Sequence, residues 1–422
     1  MHHLTTRVNG HSITEKSFND LSRCAYLCSH MNTYAFTESL MFTSPRPEKI
    51  FVRGEGSWLY DADGRGYLDF VQGWAVNSLG HSSMVVRDAL QAQAGRVINV
   101  GPGYYNEPMM ALANSLAQLS GLQRVFFANS GAEANEGAIK LARKWGSKRR
   151  GGAYEVVVFE DAFHGRTLAM MSASGKPQWR NLYEPKVPGF VRVPREDLDA
   201  VRRAIGPDTA AVMLEPIQGE AGVIPFSTSF LRGVRDLADE HGVLLIFDEI
   251  QTGIGRTGRM FCFEHAGIRP DIMTVGKGIG GGVPLTALLA REDVCLFEPG
   301  DQGGTFNGNP LMTAVGHAVV QEISRPEFLA QVESRGIYFA AQLAELSGEF
   351  GLVDVRGKGL LLAIELNQPI ASRVVDAALE IGLLINAPRP AVLRFMPALN
   401  VTCGEIDRMV EILRQSMRCF LP

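Results

Sequence analysis

The 422-residue sequence has little cysteine, no excess of positive charge and no long apolar run. It carries 41 Lys and Arg against 45 Asp and Glu, a net charge of −4, so nothing indicates a nucleic-acid-binding protein. Apolar runs such as residues 243–247 are far shorter than the roughly 20 residues that cross a bilayer. The first residues lack the basic region and apolar core of a signal peptide. We therefore expect a soluble, cytoplasmic protein without nucleic-acid or membrane partners.

The six cysteines give no sign of a metal centre or a disulfide framework. Cys24 and Cys28 are four residues apart, but no cluster of further His or Cys ligands accompanies them. The others stand at positions 262, 295, 403 and 419. We interpret all six as free thiols in a reducing cytoplasm, and we expect no metal.

The length and the changing pattern along the chain predict two domains and an extension. Residues 1–40 are polar with little periodicity, and we expect a loosely ordered N-terminal extension. Residues 41–83 are predicted to be the N-terminal part of a small domain. Residues 84–318 are predicted to form a large domain, and residues 319–422 a C-terminal α+β part of the small domain.

Short apolar runs alternate with amphipathic stretches through the middle of the chain. The predicted strands lie at residues 155–159, 211–214, 243–248, 272–275 and 285–290. Among the predicted helices, residues 228–241 are followed by Gly242, a typical residue after a helix. Apolar strands separated by helices predict an α/β fold with a mainly parallel sheet buried on both faces. Functional residues of such sheets gather at the carboxyl ends of the strands.

The flanking segments have other patterns. Residues 49–70 alternate as short strands, with Asp63-Gly64 as a hairpin turn. Helical spacing covers residues 84–98, 108–119, 326–350, 371–381 and 404–417.

Lys277 directly follows a predicted buried strand and lies in the glycine-rich segment TVGKGIGGGVPL. A lysine at a strand end has few structural uses, since its ammonium group normally seeks water. The functional interpretation is an amine that forms a Schiff base with an aldehyde cofactor. The alternative is a glycine-rich surface turn that carries a solvated lysine.

Asp248 and Glu249 end the most apolar run of the chain. A carboxylate there could bind a metal, act as a base or pair with a cationic ring nitrogen. No ligand cluster accompanies it, which disfavours a metal. A pyridinium partner fits better, because a facing cation keeps a buried Asp ionised. A helix-capping Asp-Glu pair is the structural alternative.

A third feature is the break between a strand and a helix at Asn129-Ser130-Gly131. The N–H groups of Gly131 and Ala132 at the helix start would form an anion site suited to a phosphate. The segment is not a Walker loop, because it lacks the G-x-x-x-x-G-K-[ST] pattern. A plain helix cap is the alternative.

Two further segments carry candidate binding residues. Phe163 can cover a flat ring, and Arg166 can bind a carboxylate through two hydrogen bonds, whereas His164 alone is more typical of a structural histidine. Glu220 is a candidate to neutralise an arginine, and Arg394 is its candidate partner from the small domain. These features occur together and in order, mostly after strands, which independent accidents would not produce.

Together, the motifs SGAEAN, FHGRT, EPIQGE, DEIQTGIGRTG, DIMTVGKGIGGG and GGTFNGNP resemble those of the class III pyridoxal-phosphate aminotransferases. The likeness runs from about residue 49 to the C-terminus. It implies the type I aminotransferase fold, in which a large domain with a seven-stranded-type, mainly parallel sheet joins a smaller α+β domain. It also implies an obligate homodimer with its active sites at the interface.

The resemblance implies a role for each motif residue. Lys277 would hold pyridoxal 5′-phosphate, with Asp248 at the ring nitrogen and Gln251 at the ring hydroxyl. The remaining cofactor-binding residues would be Ser130, Gly131, Ala132, Phe163, His164, Ile250 and, from the neighbouring subunit, Thr305. The substrate-binding residues would be Arg166, Glu220, Arg394, Trp74 and Gly304.

Some positions depart from the family pattern. Gly304 stands where the family often has Ser, and Trp74 where several relatives carry a smaller or different residue. The usual GHxHP element reads GHSSM at residues 80–84. These departures concern the substrate more than the reaction.

The implied reaction transfers the terminal amino group of an ω-amine, N-acetylornithine first, to 2-oxoglutarate. Ornithine, 4-aminobutyrate and succinylated diamino acids are alternative donors, and glutamate-semialdehyde aminomutase shares the scaffold. A non-catalytic binding protein of the same fold is a further alternative, and a nucleotide-binding protein is disfavoured by its missing motifs. As a base, Lys277 would need a pKa below the usual value of about 10.4.

Overall fold

The structure, a computed structural model, describes residues 7–8, 11–12, 39–352 and 354–421. The predicted N-terminal extension lies almost wholly outside the described residues, as do Cys24 and Cys28. The described residues divide into two compact units, one of those up to residue 54 with 59–66, and one of residues 55–58 with those from 67 onward. The domain boundaries predicted after residues 83 and 318 stay predictions.

The secondary-structure elements are numbered in chain order. The strands are β1 (Arg7–Val8), β2 (His11–Ser12), β3 (Phe51–Glu55), β4 (Trp58–Asp61), β5 (Gly66–Asp69), β6 (Arg124–Ala128), β7 (Glu155–Phe159), β8 (Phe190–Val193), β9 (Thr209–Leu214), β10 (Ile217–Gln218), β11 (Ile224–Pro225), β12 (Leu244–Glu249), β13 (Ile272–Val275), β14 (Thr286–Ala290), β15 (Asp354–Lys358), β16 (Leu361–Glu365), β17 (Leu383–Leu384), β18 (Asn386–Arg389) and β19 (Val392–Phe395). The helices are α1 (Gln72–Ala75), α2 (Met84–Ala94), α3 (Glu107–Ser120), α4 (Gly131–Arg149), α5 (Leu168–Ala173), α6 (Leu198–Ala204), α7 (Thr228–His241), α8 (Pro310–Ile323), α9 (Pro326–Glu349), α10 (Ala371–Glu380) and α11 (Cys403–Arg418). Short 3-10 helices lie at Pro177–Trp179, Cys262–His265 and Lys277–Gly280.

In the first unit, a tight turn follows β4. The N–H of Gly64 donates to the carbonyl oxygen of Asp61 at 3.0 Å, and the N–H of Asp61 donates to that of Arg65 at 3.1 Å. Gly64 has φ 82°, a conformation that suits glycine. The hairpin turn predicted at Asp63-Gly64 is therefore confirmed.

The larger sheet of the second unit has the strand order β6-β14-β13-β12-β9-β7-β8. Strand β14 runs antiparallel to both neighbours, and the other neighbouring pairs are parallel. This confirms the predicted mainly parallel sheet. The carboxyl ends of β6, β7, β9, β12 and β13 share one edge with the amino end of β14.

Both faces of this sheet are buried, as its apolar strands predicted. Along β12, Leu244 and Ile246 pack in one core with residues of α4, whereas Leu245 and Phe247 pack in another with residues of α7. The alternation follows from the two-residue repeat of a strand. A central strand covered on both faces gives the residues that follow it a rigid support.

The sequence predicted the end of helix α7 correctly but not the end of helix α2. Helix α7 ends as predicted, because Gly242 adopts the left-handed conformation (φ 60°, ψ 44°). Helix α2 ends at Ala94, so the prediction that it reaches residue 98 was wrong. After Ala94, the N–H of Val97 donates to the carbonyl oxygen of Gln93. The side-chain amide of Gln93 donates in return to the carbonyl oxygen of Val97, and the two bonds close a turn.

The C-terminal part contains an antiparallel sheet with the order β15-β16-β19-β18. Arg256, from the loop after β12, donates to the carbonyl oxygens of Leu360 at 3.1 Å and Pro397 at 2.6 Å. These bonds tie the turn between β15 and β16 and the residues after β19 to the loop that follows β12. This arrangement confirms the predicted α+β character of this part and places Arg394, in β19, near the large sheet.

Two global expectations concern the described residues. Cys262, Cys295, Cys403 and Cys419 are free thiols, as predicted. Across the described ranges, no helix is both long and apolar enough to span a membrane.

Candidate active site

A cavity of about 440 Å³ opens at the edge of the large sheet where the parallel strands end. Its lining includes most of the predicted site residues, namely Ser130, Gly131, Ala132, Phe163, His164, Arg166, Glu220, Asp248, Ile250, Gln251 and Lys277. These residues come from five separate segments of the sequence, and they meet at the strand ends as predicted. Residues that the sequence did not single out also line it, among them Asn135, Glu215 and Thr286.

Asp248 is the most heavily hydrogen-bonded carboxylate of the cavity. Its Oδ2 accepts from Nδ2 of Asn135 at 2.7 Å and pairs with Nδ1 of His164 at 2.8 Å, and its Oδ1 accepts from the N–H of Ile250 at 3.1 Å. The side chain is only 4% exposed. Three partners, one on α4 and two in the loops that follow β7 and β12, therefore fix the direction of the carboxylate.

His164 is fully buried beside Asp248. Burial acts to lower its pKa, but the hydrogen bond with Asp248 and the charge of that carboxylate raise the pKa above the ordinary histidine value. The ring is thus held by Asp248 and in turn orients it. This contact explains why a histidine stands in the FHGRT segment.

Asn135 is a site residue that the sequence reasoning missed. It is buried in α4, where its Nδ2 also donates to the carbonyl oxygen of His164 at 2.8 Å and its Oδ1 accepts from Oγ1 of Thr274 at 2.7 Å. A polar residue on the buried face of a helix, beside Ala134 and Ala138, was the available signal.

Lys277 follows β13 after a single glycine, as predicted. Burial and the positive charge of Arg394 lower its pKa to about 8, although the carboxylates of the cavity act in the opposite direction. Its backbone has φ 45°, in the left-handed region that side chains other than glycine rarely adopt. An amine with this pKa is partly neutral near neutral pH and can act as a nucleophile or base.

The start of α4 has the geometry of an anion site. The side chain of Ser130 caps the helix by accepting from the N–H of Glu133, whose carboxylate accepts from the N–H of Ser130 in return. The N–H groups of Gly131 and Ala132 then belong to the first turn, which has no intrahelical partners for them. A Cβ at Gly131 would lie 2.9 Å from Cδ1 of Ile250, so the Ile250 side chain packs closely against this glycine.

The side chain of Gln251 indicates that the cavity binds a molecule with a polar group. Both Oε1 and Nε2 of its buried side chain lack a hydrogen-bond partner among the described residues, as does Nε2 of His164. Such atoms are costly unless a ligand or water satisfies them. A Cβ at Gly219 would lie 1.7 Å from Oε1 of Gln251, so Gly219 makes room for this amide.

Phe163 lines another part of the cavity and packs against Trp179, which lies outside the lining. The N–H of Phe163 donates to Oε1 of Glu215 at 2.8 Å, and its ring lies 5.7 Å from that of Trp179. The guanidinium of Arg166 lies 5.5 Å from the Trp179 ring centroid. Burial raises the pKa of Glu215 to about 7, so this carboxyl is partly protonated near neutral pH.

Glu220 and Arg394 form the ion pair that the sequence suggested. Nη2 of Arg394 donates to Oε1 of Glu220 at 2.8 Å, while Nε and Nη2 of Arg394 also donate to Oδ1 of Asn386 at 2.9 and 2.7 Å. Despite partial burial, the charges of Arg394 and Lys176 lower the pKa of Glu220 to about 2. Nη1 of the buried Arg394 has no partner among the described residues.

Glu249 has a different role from its neighbour Asp248. It accepts from the N–H groups of Cys262 at 2.6 Å and Phe263 at 2.8 Å and from Oγ1 of Thr252 at 3.3 Å. It does not line the cavity. Glu249 therefore anchors a loop, and only one acid of the pair faces the site.

Four predicted residues lie outside the cavity lining, namely Trp74, Gly304, Thr305 and Arg394, the last of which reaches the cavity through its ion pair with Glu220. Trp74 is 51% exposed and belongs to α1, where Gln72, Gly73, Trp74 and Ala75 all have positive φ. Thr305 is exposed, and Gly304 lines other cavities. Their roles in binding cofactor or substrate stay predictions.

Comparisons with known proteins agree with this architecture. The family model described as aminotransferase class III matches residues 43–417. The acetylornithine aminotransferase of Ralstonia nicotianae is 55% identical over 388 residues, covering 90% of this chain and 97% of the relative.

Solved structures give the same picture. The N-acetylornithine aminotransferase from Stenotrophomonas maltophilia superposes with a TM-score of 0.79 at 35% identity, covering 92% of this chain and 98% of that chain. An ornithine aminotransferase structure from Toxoplasma gondii, which has pyridoxal phosphate at partial occupancy in its active site, superposes with a TM-score of 0.89 at 31% identity, covering 94% and 97%. The chain therefore belongs to the class-III aminotransferases, a family of pyridoxal-phosphate-dependent enzymes.

Proposed function

We propose that the protein transfers the terminal amino group of N-acetylornithine to 2-oxoglutarate, giving the semialdehyde and glutamate. The observation that carries this proposal is one cavity that holds Lys277, Asp248 and the start of α4 beside the Glu220–Arg394 pair. The likeness to named acetylornithine aminotransferases supports the donor.

The cavity fits pyridoxal 5′-phosphate. The ring hydroxyl would give a hydrogen-bond partner to one of the two buried polar atoms of the Gln251 amide, and the start of α4 suits the phosphate. Asp248 would pair with the ring nitrogen, and Phe163 and Ile250 would cover the two ring faces. When bound, the cofactor supplies an aldehyde that condenses with amines and a ring that takes up the electron pair of a substrate carbon.

Lys277 is proposed to hold the cofactor and then to move the proton between carbon atoms. Its pKa of about 8 keeps a useful fraction of the amine neutral, so it can accept a proton at the substrate carbon and release it again. Asp248, fixed by Asn135 and His164, would stabilise a positive charge on the ring nitrogen when the cofactor is bound.

Arg166 and Arg394 are proposed to bind the carboxylates of the two substrates. Arg166 would bind a substrate carboxylate in both half-reactions. The Glu220–Arg394 pair, closed in the structure, would shield Arg394 from a donor that presents an ω-amine. When 2-oxoglutarate enters, Arg394 would exchange Glu220 for the α-carboxylate.

We further propose a homodimer. Thr305 is exposed and does not line the cavity of its own chain, and Phe306 beside it is 61% exposed. Tyr105, which is 85% exposed, lines one cavity with Gly304. Large exposed apolar side chains of this kind favour an interface.

Mixing two variants tests this arrangement. If Thr305 completes the partner's site, refolding Lys277→Ala together with Thr305→Ala will give heterodimers in which one site has both native residues. Activity then exceeds that of either variant alone. No gain from mixing, or a monomer by sedimentation, would contradict the proposal.

The donor is tested by offering the holoenzyme N-acetylornithine, ornithine, 4-aminobutyrate and N-succinylornithine, each with and without 2-oxoglutarate. We expect the highest kcat/KM with N-acetylornithine and no turnover without the keto acid. A higher value for another donor would replace the substrate assignment, and turnover without a keto acid would favour an aminomutase.

A further inference from the structure

Glu220 has a second cationic partner besides Arg394. Nζ of Lys176 lies 3.0 Å from Oε2 of Glu220, whereas Arg394 binds Oε1 at 2.8 Å. Each carboxylate oxygen thus has its own cation, and the side chains of Lys176 and Glu220 are only 16% and 20% exposed. Sequence reasoning did not single out Lys176.

Surrounding rings hold the Lys176 ammonium group in place. Nζ lies 4.8 Å from the ring centroid of Phe163 and 5.2 Å from that of Trp179. Pro177 follows immediately and begins a 3-10 helix, which restricts the backbone beside the lysine. Lys176 therefore has contacts that persist if Arg394 moves away from Glu220.

The charges explain what a second cation does. In the closed arrangement, two cations share the single negative charge of Glu220. If Arg394 leaves to bind a substrate carboxylate, Glu220 still pairs with Lys176, so every charged group keeps one partner. Without Lys176, the same movement would leave a largely buried carboxylate without a cation, which is unfavourable.

We propose that Lys176 is a positioning residue that retains Glu220 when Arg394 is released, and that it thereby favours entry of the dicarboxylate keto acid over the ω-amine donor. This inference rests on the proposed function, because it assumes that Arg394 exchanges Glu220 for a carboxylate. Lys176 acts through Glu220 and does not itself contact the substrate.

The test compares Lys176→Met with Lys176→Arg in the holoenzyme, measuring each half-reaction separately. For Lys176→Met we expect kcat/KM for 2-oxoglutarate to fall roughly tenfold, the effect of losing a charged hydrogen bond, and kcat/KM for the amine donor to change less than about twofold. Lys176→Arg keeps the charge and should remain close to the native protein. Binding of glutarate, an unreactive dicarboxylate, should weaken in parallel when it is measured by calorimetry.

The Glu220→Gln background separates action through Glu220 from direct substrate binding. With the carboxylate charge removed, adding Lys176→Met should cause no further loss with 2-oxoglutarate. A second tenfold loss there would mean that Lys176 binds the keto acid itself, and would overturn the proposal. An equal fall of both half-reactions in Lys176→Met would also overturn it, because that indicates a general structural role.

Failure of this inference is distinguishable from failure of the proposed function. If the native holoenzyme transfers amino groups to 2-oxoglutarate but Lys176→Met shows no difference between half-reactions, only the role of Lys176 is wrong. If the native holoenzyme uses no ω-amine with 2-oxoglutarate, the proposed function itself is wrong. Cofactor absorbance and the melting temperature check that each variant is folded and loaded.

Discussion

Two acidic groups of the cavity, Asp248 and Glu220, are held in opposite ways. Asp248 is bound by the amide of Asn135 on α4, by the imidazole of His164 in the loop after β7 and by the backbone N–H of Ile250, which directly follows β12. Glu220 is bound by two long cationic side chains, one from a loop and one from the C-terminal sheet. Fixed dipoles suit a charge that must not move, whereas ion pairs can be exchanged for a substrate carboxylate.

The surroundings of both acids influence the pKa of Lys277. The positive charge of Arg394 lowers its pKa, and the charges of Glu220, Glu215 and Asp248 raise it. A substitution of Asp248 or of Glu220 therefore changes the pKa of the Lys277 amine. Predictions that alter the amine first, then the fixed acid and then the exchangeable pair test this comparison.

The largest effect is expected from Lys277→Ala. The variant lacks the amine that is proposed both to hold the cofactor and to act as the base, and general base catalysis alone contributes about 10²–10⁴-fold. We expect turnover with an ω-amine and 2-oxoglutarate to fall at least a thousandfold, while some cofactor remains bound after dialysis through the phosphate site. Turnover at the native rate would refute the assignment of Lys277.

A smaller loss is expected from Asp248→Asn, on the order of a hundredfold in kcat, because a neutral amide no longer stabilises the positive ring nitrogen. The same substitution removes the charge that raises the pKa of His164, so burial should then lower that pKa, as an NMR titration of the ring would show.

Glu249→Gln is the matched control for Asp248→Asn. Glu249 is also buried at the end of β12, but it only accepts hydrogen bonds that anchor the loop at Cys262 and Phe263. Glutamine keeps one acceptor oxygen, so kcat should change little while the melting temperature falls. A similar loss of kcat in both variants would remove the distinction between the two acids.

The position of Asp248 was easier to predict from the sequence than the pairing of Glu220 with Lys176. Apolar runs showed which segments are buried strands, and a charged residue directly after such a run must lie at the sheet edge, so Asp248 and Lys277 could be placed from the sequence. Strand direction was harder, because a buried run such as β14 has the same composition in either direction.

Contacts between distant side chains could not be predicted in the same way. Lys176 and Glu220 are 44 residues apart, and their pairing depends on the path of the loop after β7. Asn135 and Thr286 lie in segments whose local pattern shows only a helix and a strand. The four successive residues Gln72–Ala75 have positive φ, and the only sequence feature that indicates this conformation is the glycine at position 73.

The smallest effect is a pair of opposite pKa shifts at Lys277, measured in the protein freed of cofactor. Only the neutral amine attacks an aldehyde, so the rate of attachment of added pyridoxal phosphate should rise with pH and level off above about 8 in the native protein. Arg394→Met removes the cation that lowers the pKa, and the midpoint should move to higher pH. Glu220→Gln removes an anion that raises it, and the midpoint should move to lower pH. Because both substitutions break the same ion pair, shifts in the same direction would mean that disruption of the pair, rather than its charges, acts on Lys277.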